Sequence, residues 1–159
     1  MKVTLIAVGK LKEHYLKEGI GEYTKRLSRF CDLQILEVED EQAPETLSPA
    51  QEEQIKRKEA AKIASKLKEG TFLIMLDVKG GKKSSEGFAS ALQSCFTSGK
   101  SNITFVIGGS LGLDAELLKK ADLRLSLSDM TFPHQLTRLI LLEQIFRAFK
   151  IINGETYHK

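Results

Sequence analysis

An α/β fold, a mostly parallel sheet with helices on both faces, is the class that this 159-residue sequence predicts. Three observations carry that expectation. Strand-like and helix-like segments alternate along the whole chain, in the order β-α-β-α-β-α-β-α-β-α. Residues 71–76 and 102–107 are nearly unbroken apolar runs, the mark of strands covered on both faces. The last two strands each run into a loop of small or polar residues that feeds a helix. The length suits one domain, residues 1–159, with a core large enough to fold alone.

Residues 2–8 read as a first strand, closed by Gly9. Residues 11–30 follow with helical spacing: Leu11, Tyr15, Ile20, Tyr23, Leu27 and Phe30 fall roughly on one stripe. Gly19 and Gly21 each weaken that helix by about 1 kcal/mol relative to alanine, which allows a bend there. Residues 33–38 form a second strand and 40–48 a polar loop. Ser48 suits an N-cap and Pro49 the first helical position, with Glu52 and Glu53 complementing the positive helix end. That helix is expected to reach about residue 68 and to stop at Gly70; its lysines and Arg57 read as a solvated face. After the third strand, residues 77–85 look like a phosphate loop but fail the Walker pattern, with Leu76 where glycine is required and Lys83 at the Ser/Thr position. Ser84 or Ser85 is the expected N-cap of a helix reaching about residue 98. The fourth strand leads into Gly108-Gly-Ser-Leu-Gly112, Asp114 caps a short helix, 123–127 is the last strand, and Pro133 opens the final helix.

That final helix is apolar almost all round, from Leu136 to Ile152. Such a helix must be covered on more than one side. The sheet is expected to take one side and a second copy of the chain the other, so a homodimer is predicted.

Bulk properties narrow the function classes. The net charge of +3 permits nucleic acid as a partner without requiring it. Cys31 and Cys95 lie far apart with no CxxC spacing, as expected of reduced, buried thiols in a cytoplasmic protein. No stretch approaches the ~20 apolar residues that span a bilayer. His14, His134 and His158 show no metal-ligand spacing, so no metal is expected. There is no G-x-S-x-G elbow, and the glycines after the fourth strand do not fit G-x-G-x-x-G. The late loops offer backbone groups and apolar walls at Leu76, Leu111, Leu127, Met130 and Phe132, which suit an adenosine-containing cofactor better than phosphate. By spacing alone, glycine loops that merely turn the chain fit equally well.

Five blocks extend the reading. They are residues 76–86 (LDVKGGKKSSE), 105–113 (FVIGGSLGL), 125–136 (LSLSDMTFPHQL), 141–148 (LLEQIFRA) and the terminal Tyr157-His158-Lys159. In order and spacing they resemble the bacterial ribosomal large subunit methyltransferase H group, within the SPOUT, or knotted, methyltransferases. The family's usual glutamate-arginine after the aspartate of the first block is Val78-Lys79 here. The resemblance implies a C-terminal trefoil knot and S-adenosylmethionine as methyl donor. It also implies a substrate, a pseudouridine of large-subunit (23S) rRNA at the ribosomal subunit interface, methylated on N3. Carried over by position, cofactor contacts fall at Leu76, Gly108, Leu127, Ser128, Asp129, Met130, Thr131 and Phe132. The family's tail forms part of the active site, which makes His158 the candidate base, assisted by Tyr157 and Lys159. Arg138 is a candidate for holding RNA phosphate or the dimer partner, and His134 for satisfying loop carbonyls. The rival readings are a non-enzymatic RNA- or ribosome-binding factor on the same fold and a nucleotide-binding α/β enzyme unrelated to methylation.

Overall fold

A computed structural model describes residues 1–159. Strands β1 (Lys2–Val8), β2 (Asp32–Val38), β3 (Phe72–Lys82), β4 (Asn102–Ile107) and β5 (Leu123–Ser126) form one sheet in the order β2-β1-β4-β3-β5, with every neighbouring pair parallel. The helices are α1 (His14–Leu27), α2 (Pro49–Ala64), α3 (Ser85–Thr97), α4 (Ala115–Leu118) and α5 (His134–Ile152). Alternation along the strands splits the core in two. Val3, Leu5 and Ala7 of β1 pack with α1, α3 and α5, while Ile6 and Val8 pack with Ile63 of α2 and Leu117 of α4. The larger cluster, of 21 buried residues, lies on the α5 side.

The caps form where the sequence places them. Ser48 and Gln51 make a reciprocal capping box, with Oγ accepting from the Gln51 N–H at 3.2 Å and the Ser48 N–H donating to Oε1 at 2.9 Å. Ser84 accepts from the Gly87 N–H at 3.0 Å, and Asp114 from that of Leu117 at 3.1 Å. Four details differ from expectation. α1 begins at His14, three residues late, and α2 ends at Ala64, before the expected 68. α1 runs unbroken through Gly19, which is a packing residue: a Cβ there would lie 3.0 Å from Leu139 of α5. The expected loop 77–82 belongs to β3, which loops out at 77–80 and then pairs again with β5, Gly81 with Leu125 and Lys82 with Ser126.

α5 lies between α1 and α3 in the same protomer, where Leu141, Leu142, Ile145, Phe146, Ala148 and Phe149 are all buried. These two helices, as well as the sheet, thus cover much of its apolar surface. Leu136 and Ile140, one turn apart, stay half-buried outside both core clusters. The segment between β5 and α5 crosses the ends of β3 and β4 to reach β1, where Gln135 bonds Lys10 and Arg138 bonds Gly9. A C-terminal trefoil knot requires such a crossing. No helix is long and apolar enough to cross a membrane.

The looped-out arm of β3 depends on Gly80, whose absent Cβ would sit 2.8 Å from the Arg124 carbonyl carbon and oxygen, whereas the nearest atom to a Cβ on Gly81 is at 3.9 Å. Gly80→Ala is expected to cost about 1–3 kcal/mol in urea unfolding, and Gly81→Ala well under half of that. Equal effects at the two positions would refute the register described for this arm.

Candidate active site

In a parallel sheet all the carboxyl ends face one edge, and three of them meet here. The loops after β3, β4 and β5 enclose a cleft of about 550 Å³, within the range of small-molecule sites. Leu76, Ile107, Leu125 and Leu127 supply apolar surface, together with Leu111, Met130 and Phe132 from the loops. The glycine loop after β4 is tightly folded. The Gly112 N–H donates to the Gly109 carbonyl at 3.0 Å, and Gly112 sits at φ +84°, which suits glycine. A Cβ on Gly108 would lie 3.0 Å from the Gly112 carbonyl carbon and from Leu113, so this wall cannot thicken.

The other wall, Ser128–Phe132, is held by short local bonds. Ser126 Oγ donates to the Ser128 carbonyl at 3.0 Å, and Ser128 Oγ accepts the Met130 N–H at 3.0 Å. The N–H groups of Ser128, Asp129, Thr131 and Phe132 find no acceptor inside the protein and are available to a ligand. Charge is sparse. Asp77 is the one carboxylate lining the cleft, and no lysine or arginine lines it. Burial, reinforced by nearby Arg138, holds His134 below the ordinary histidine range, so this wall is neutral.

The C-terminal tripeptide lies elsewhere in the same protomer. Tyr157 packs edge-on against Phe146 with ring centroids 5.0 Å apart, and its hydroxyl donates to Glu143 Oε1 at 3.1 Å. Burial, the Tyr23 hydroxyl and the Glu143 charge all push the Tyr157 phenol upward, so it keeps its proton. Arg147 bonds Glu143 at 2.7 Å and donates to His158 Nδ1 at 3.0 Å. Arginine only donates, so a singly protonated His158 carries its hydrogen on Nε2, facing Glu86 Oε1 at 2.7 Å. Lys159 is exposed.

Comparison with known proteins agrees with this geometry. A family model described as a predicted SPOUT methyltransferase matches residues 1–158. The chain belongs to the SPOUT methyltransferase family. Its relatives include proteins named ribosomal RNA large subunit methyltransferase H from Acetivibrio thermocellus, 67% identical, and from Ruminiclostridium cellulolyticum, 58% identical, each match covering 100% of both chains. Among solved structures, a probable methylase family protein from Haemophilus influenzae Rd KW20 superposes with a TM-score of 0.53 at 14% identity over 99% of this chain and 70% of that one, which is likeness of fold.

Within this SPOUT chain, Leu76, Gly108, Leu127, Ser128, Met130, Thr131 and Phe132 all line the cleft. Asp129 does not. Its carboxylate turns outward, 83% exposed, and both oxygens accept from Lys82 Nζ at 2.8 Å. Arg138 offers nothing to an outside phosphate, because it is 2% exposed and spent on Glu37, Val8 and Gly9 within the protomer. His134 makes no hydrogen bond to a carbonyl, and lines the cleft with Thr137 one turn on. Sequence reasoning passed over the tail's partners Glu143, Arg147 and Glu86. The i, i+4 spacing of Glu143 and Arg147 was the available signal on a helix read as almost wholly apolar. It also passed over Glu59, 5% exposed, which accepts the Glu41 N–H at 3.0 Å and backs Gly109, whose Cβ would meet Oε1 at 3.3 Å.

Burial, aided by Asp40 and Glu41, pushes the Glu59 carboxyl above its ordinary value, against the Glu41 N–H. A raised carboxyl contributes stability while protonated, and that contribution is lost as pH rises through its folded-state value. Glu59→Gln keeps an acceptor for the Glu41 N–H without the charge. Its thermal midpoint relative to wild type should therefore climb between about pH 4 and pH 8. A difference that stays flat or falls over that interval contradicts the assignment.

Proposed function

We propose that this chain is an S-adenosylmethionine-dependent methyltransferase of large-subunit rRNA, acting on N3 of a pseudouridine as a cytoplasmic homodimer. One observation carries the cofactor assignment. The cleft combines apolar walls, free backbone N–H groups and a single carboxylate with no lysine or arginine. A di- or triphosphate is ordinarily neutralised by lysine or arginine, and the cleft lining carries neither. A sulfonium-bearing adenosine needs a flat apolar slot and tolerates, or gains from, a carboxylate. The names of the full-length relatives support rRNA as the substrate.

When bound, that cofactor would supply an activated methyl group for N3, whose proton a base would have to take. The protein's contribution is alignment and proton handling. The glycine loop and the Ser128–Phe132 backbone would hold the adenosine, and Leu76, Leu127 and Phe132 would exclude water. Alignment of this kind is worth up to ~7–11 kcal/mol. His158 is the proton acceptor in this reading. Both its ring nitrogens are engaged, by Arg147 and Glu86, so it acts after exchanging one of them. Tyr157, which keeps its proton, orients the tail and donates; Lys159, free at the surface, meets RNA phosphate.

Because the tail does not line its own protomer's cleft, a partner's tail completes each site. Leu136 and Ile140 supply the apolar contact between copies, and Tyr15 on α1 is a further apolar side chain left two-thirds exposed.

Calorimetric titration with S-adenosylhomocysteine tests the cofactor, and tritiated methyl transfer to large-subunit rRNA tests the reaction. Binding in the micromolar range with transfer to N3 is expected. Absence of cofactor binding alongside tight RNA binding would convert the protein into a non-enzymatic RNA-binding factor. Deleting residues 157–159 should lower transfer by at least ~10²-fold, as loss of a general base does, and leave cofactor affinity within about twofold. Full activity in the truncated protein removes the tail from the mechanism.

A further inference from the structure

The first turn of α5 has two working faces. His134 and Thr137, three residues apart, line the cleft. Gln135 and Arg138, also three apart, face the loop between β1 and α1. Gln135 Nε2 donates to the Lys10 carbonyl at 3.0 Å, and its Oε1 accepts the Lys12 N–H at 3.1 Å. Arg138 Nη2 donates to the Val8 and Gly9 carbonyls at 3.2 and 2.7 Å, and Nη1 to Glu37 Oε2 at 2.6 Å. The same Glu37 oxygen accepts the Leu11 N–H at 2.8 Å. One turn of helix is thus bonded to every residue of the loop from 8 to 12, directly or through Glu37.

The start of α5 needs such a tie. Its N-cap position is Pro133, and no side chain caps the terminus. The segment that enters it, Met130–Pro133, is cleft wall with few bonds of its own. Arg138 also leaves its buried Nε without a partner. A desolvated guanidinium with an orphaned donor is a costly way to stabilise a helix, and a well-packed apolar residue would serve stability as well. What the planar fork provides and an apolar residue does not is a defined angle between α5 and the carboxyl ends of β1 and β2.

We propose that Gln135 and Arg138, with Glu37, are positioning residues for the cofactor cleft: they lock the first turn of α5 to the β1–α1 loop and thereby set the wall formed by Phe132, His134 and Thr137. The consequence for ligand affinity rests on the cofactor reading above, whereas the locking itself does not.

The test uses full-length Gln135→Ala and Arg138→Lys, the latter keeping charge while losing the fork. Hydrogen exchange of the ligand-free protein is followed at residues 8–12 and 130–138, with the β4 core as reference. S-adenosylhomocysteine affinity and the split between KM and kcat are measured beside it. Both variants should exchange faster in the two segments together, with β4 unchanged. Affinity should fall about 3–10-fold for Gln135→Ala and about 10–50-fold for Arg138→Lys, as expected for misplacement of a binding wall, with kcat at saturating cofactor within about threefold. Unchanged exchange at 130–138 in both variants overturns the proposal, as does a uniform rise across the chain, which would mean general destabilisation. If the wild-type protein binds no S-adenosylhomocysteine, the cofactor reading falls, and the exchange data still decide the lock.

Discussion

β5 lies beside β3, not beside β4, which immediately precedes it among the strands, and the rest of the site depends on that pairing. It is pinned at its start by a reciprocal pair of bonds: the Asp122 N–H donates to the Leu73 carbonyl, and Asp122 Oδ2 accepts the Leu73 N–H, both at 2.8 Å. From there Ile74, Met75 and Leu76 pair in turn with Leu123, Arg124 and Leu125. The chain leaving β4 can reach this edge only by passing β3, and it must then return over the ends of β3 and β4 to bury α5 on the β1 side. The cleft is the space beneath that return. Had β5 added to β2 at the opposite edge, the same loops would exist and enclose nothing.

Charge is distributed in keeping with this geometry. The cleft wall has no cations, while three cations beneath the tail are matched: Arg147 with Glu143, and Lys150 and Arg29 both with Glu155. The positively charged methyl donor proposed above would gain from the first arrangement. The second holds Tyr157 and His158 in one orientation, since each partner is fixed in turn by α5 or by the start of α3. Lys82 and Asp129 link the β3 arm to the loop after β5 across open solvent; an exposed pair of this kind is worth at most about 1 kcal/mol, so its importance is in register more than in stability.

Much of this was legible in the residues. Unbroken apolar runs marked the buried strands, Ser48 and Asp114 marked helix starts that the structure confirms to the residue, and of the two candidates Ser84 and Ser85 the structure caps α3 with Ser84. Glycines at 108, 109 and 112 and the small polar residues at 126, 128 and 131 marked the cleft loops. These signals survive in sequence because they are local: a cap, a positive φ or a two-faced strand depends on near neighbours along the chain. The β3 arm was misread for the opposite reason. Residues 77–82 are polar and glycine-rich, so they look like a loop, and only the close approach of Arg124, more than forty positions away, explains why Gly80 is bare and why pairing resumes. Asp129 was carried over by position from the resemblance and Arg138 was picked by residue type; their side chains pair with Lys82 and Glu37, partners far away along the chain.

By itself, then, the sequence determined the alternation of elements, their caps, the buried strands and, through its five blocks, the family. The tertiary structure alone decided which side chains share a space. Burial and pairing depend on what other parts of the chain bring to the same place, and that is set by strand order and by the return of α5, neither of which has a local signature. Hence Arg138, polar and plausible as a ligand-facing group in one dimension, is in three dimensions a buried tie between α5 and the end of β1.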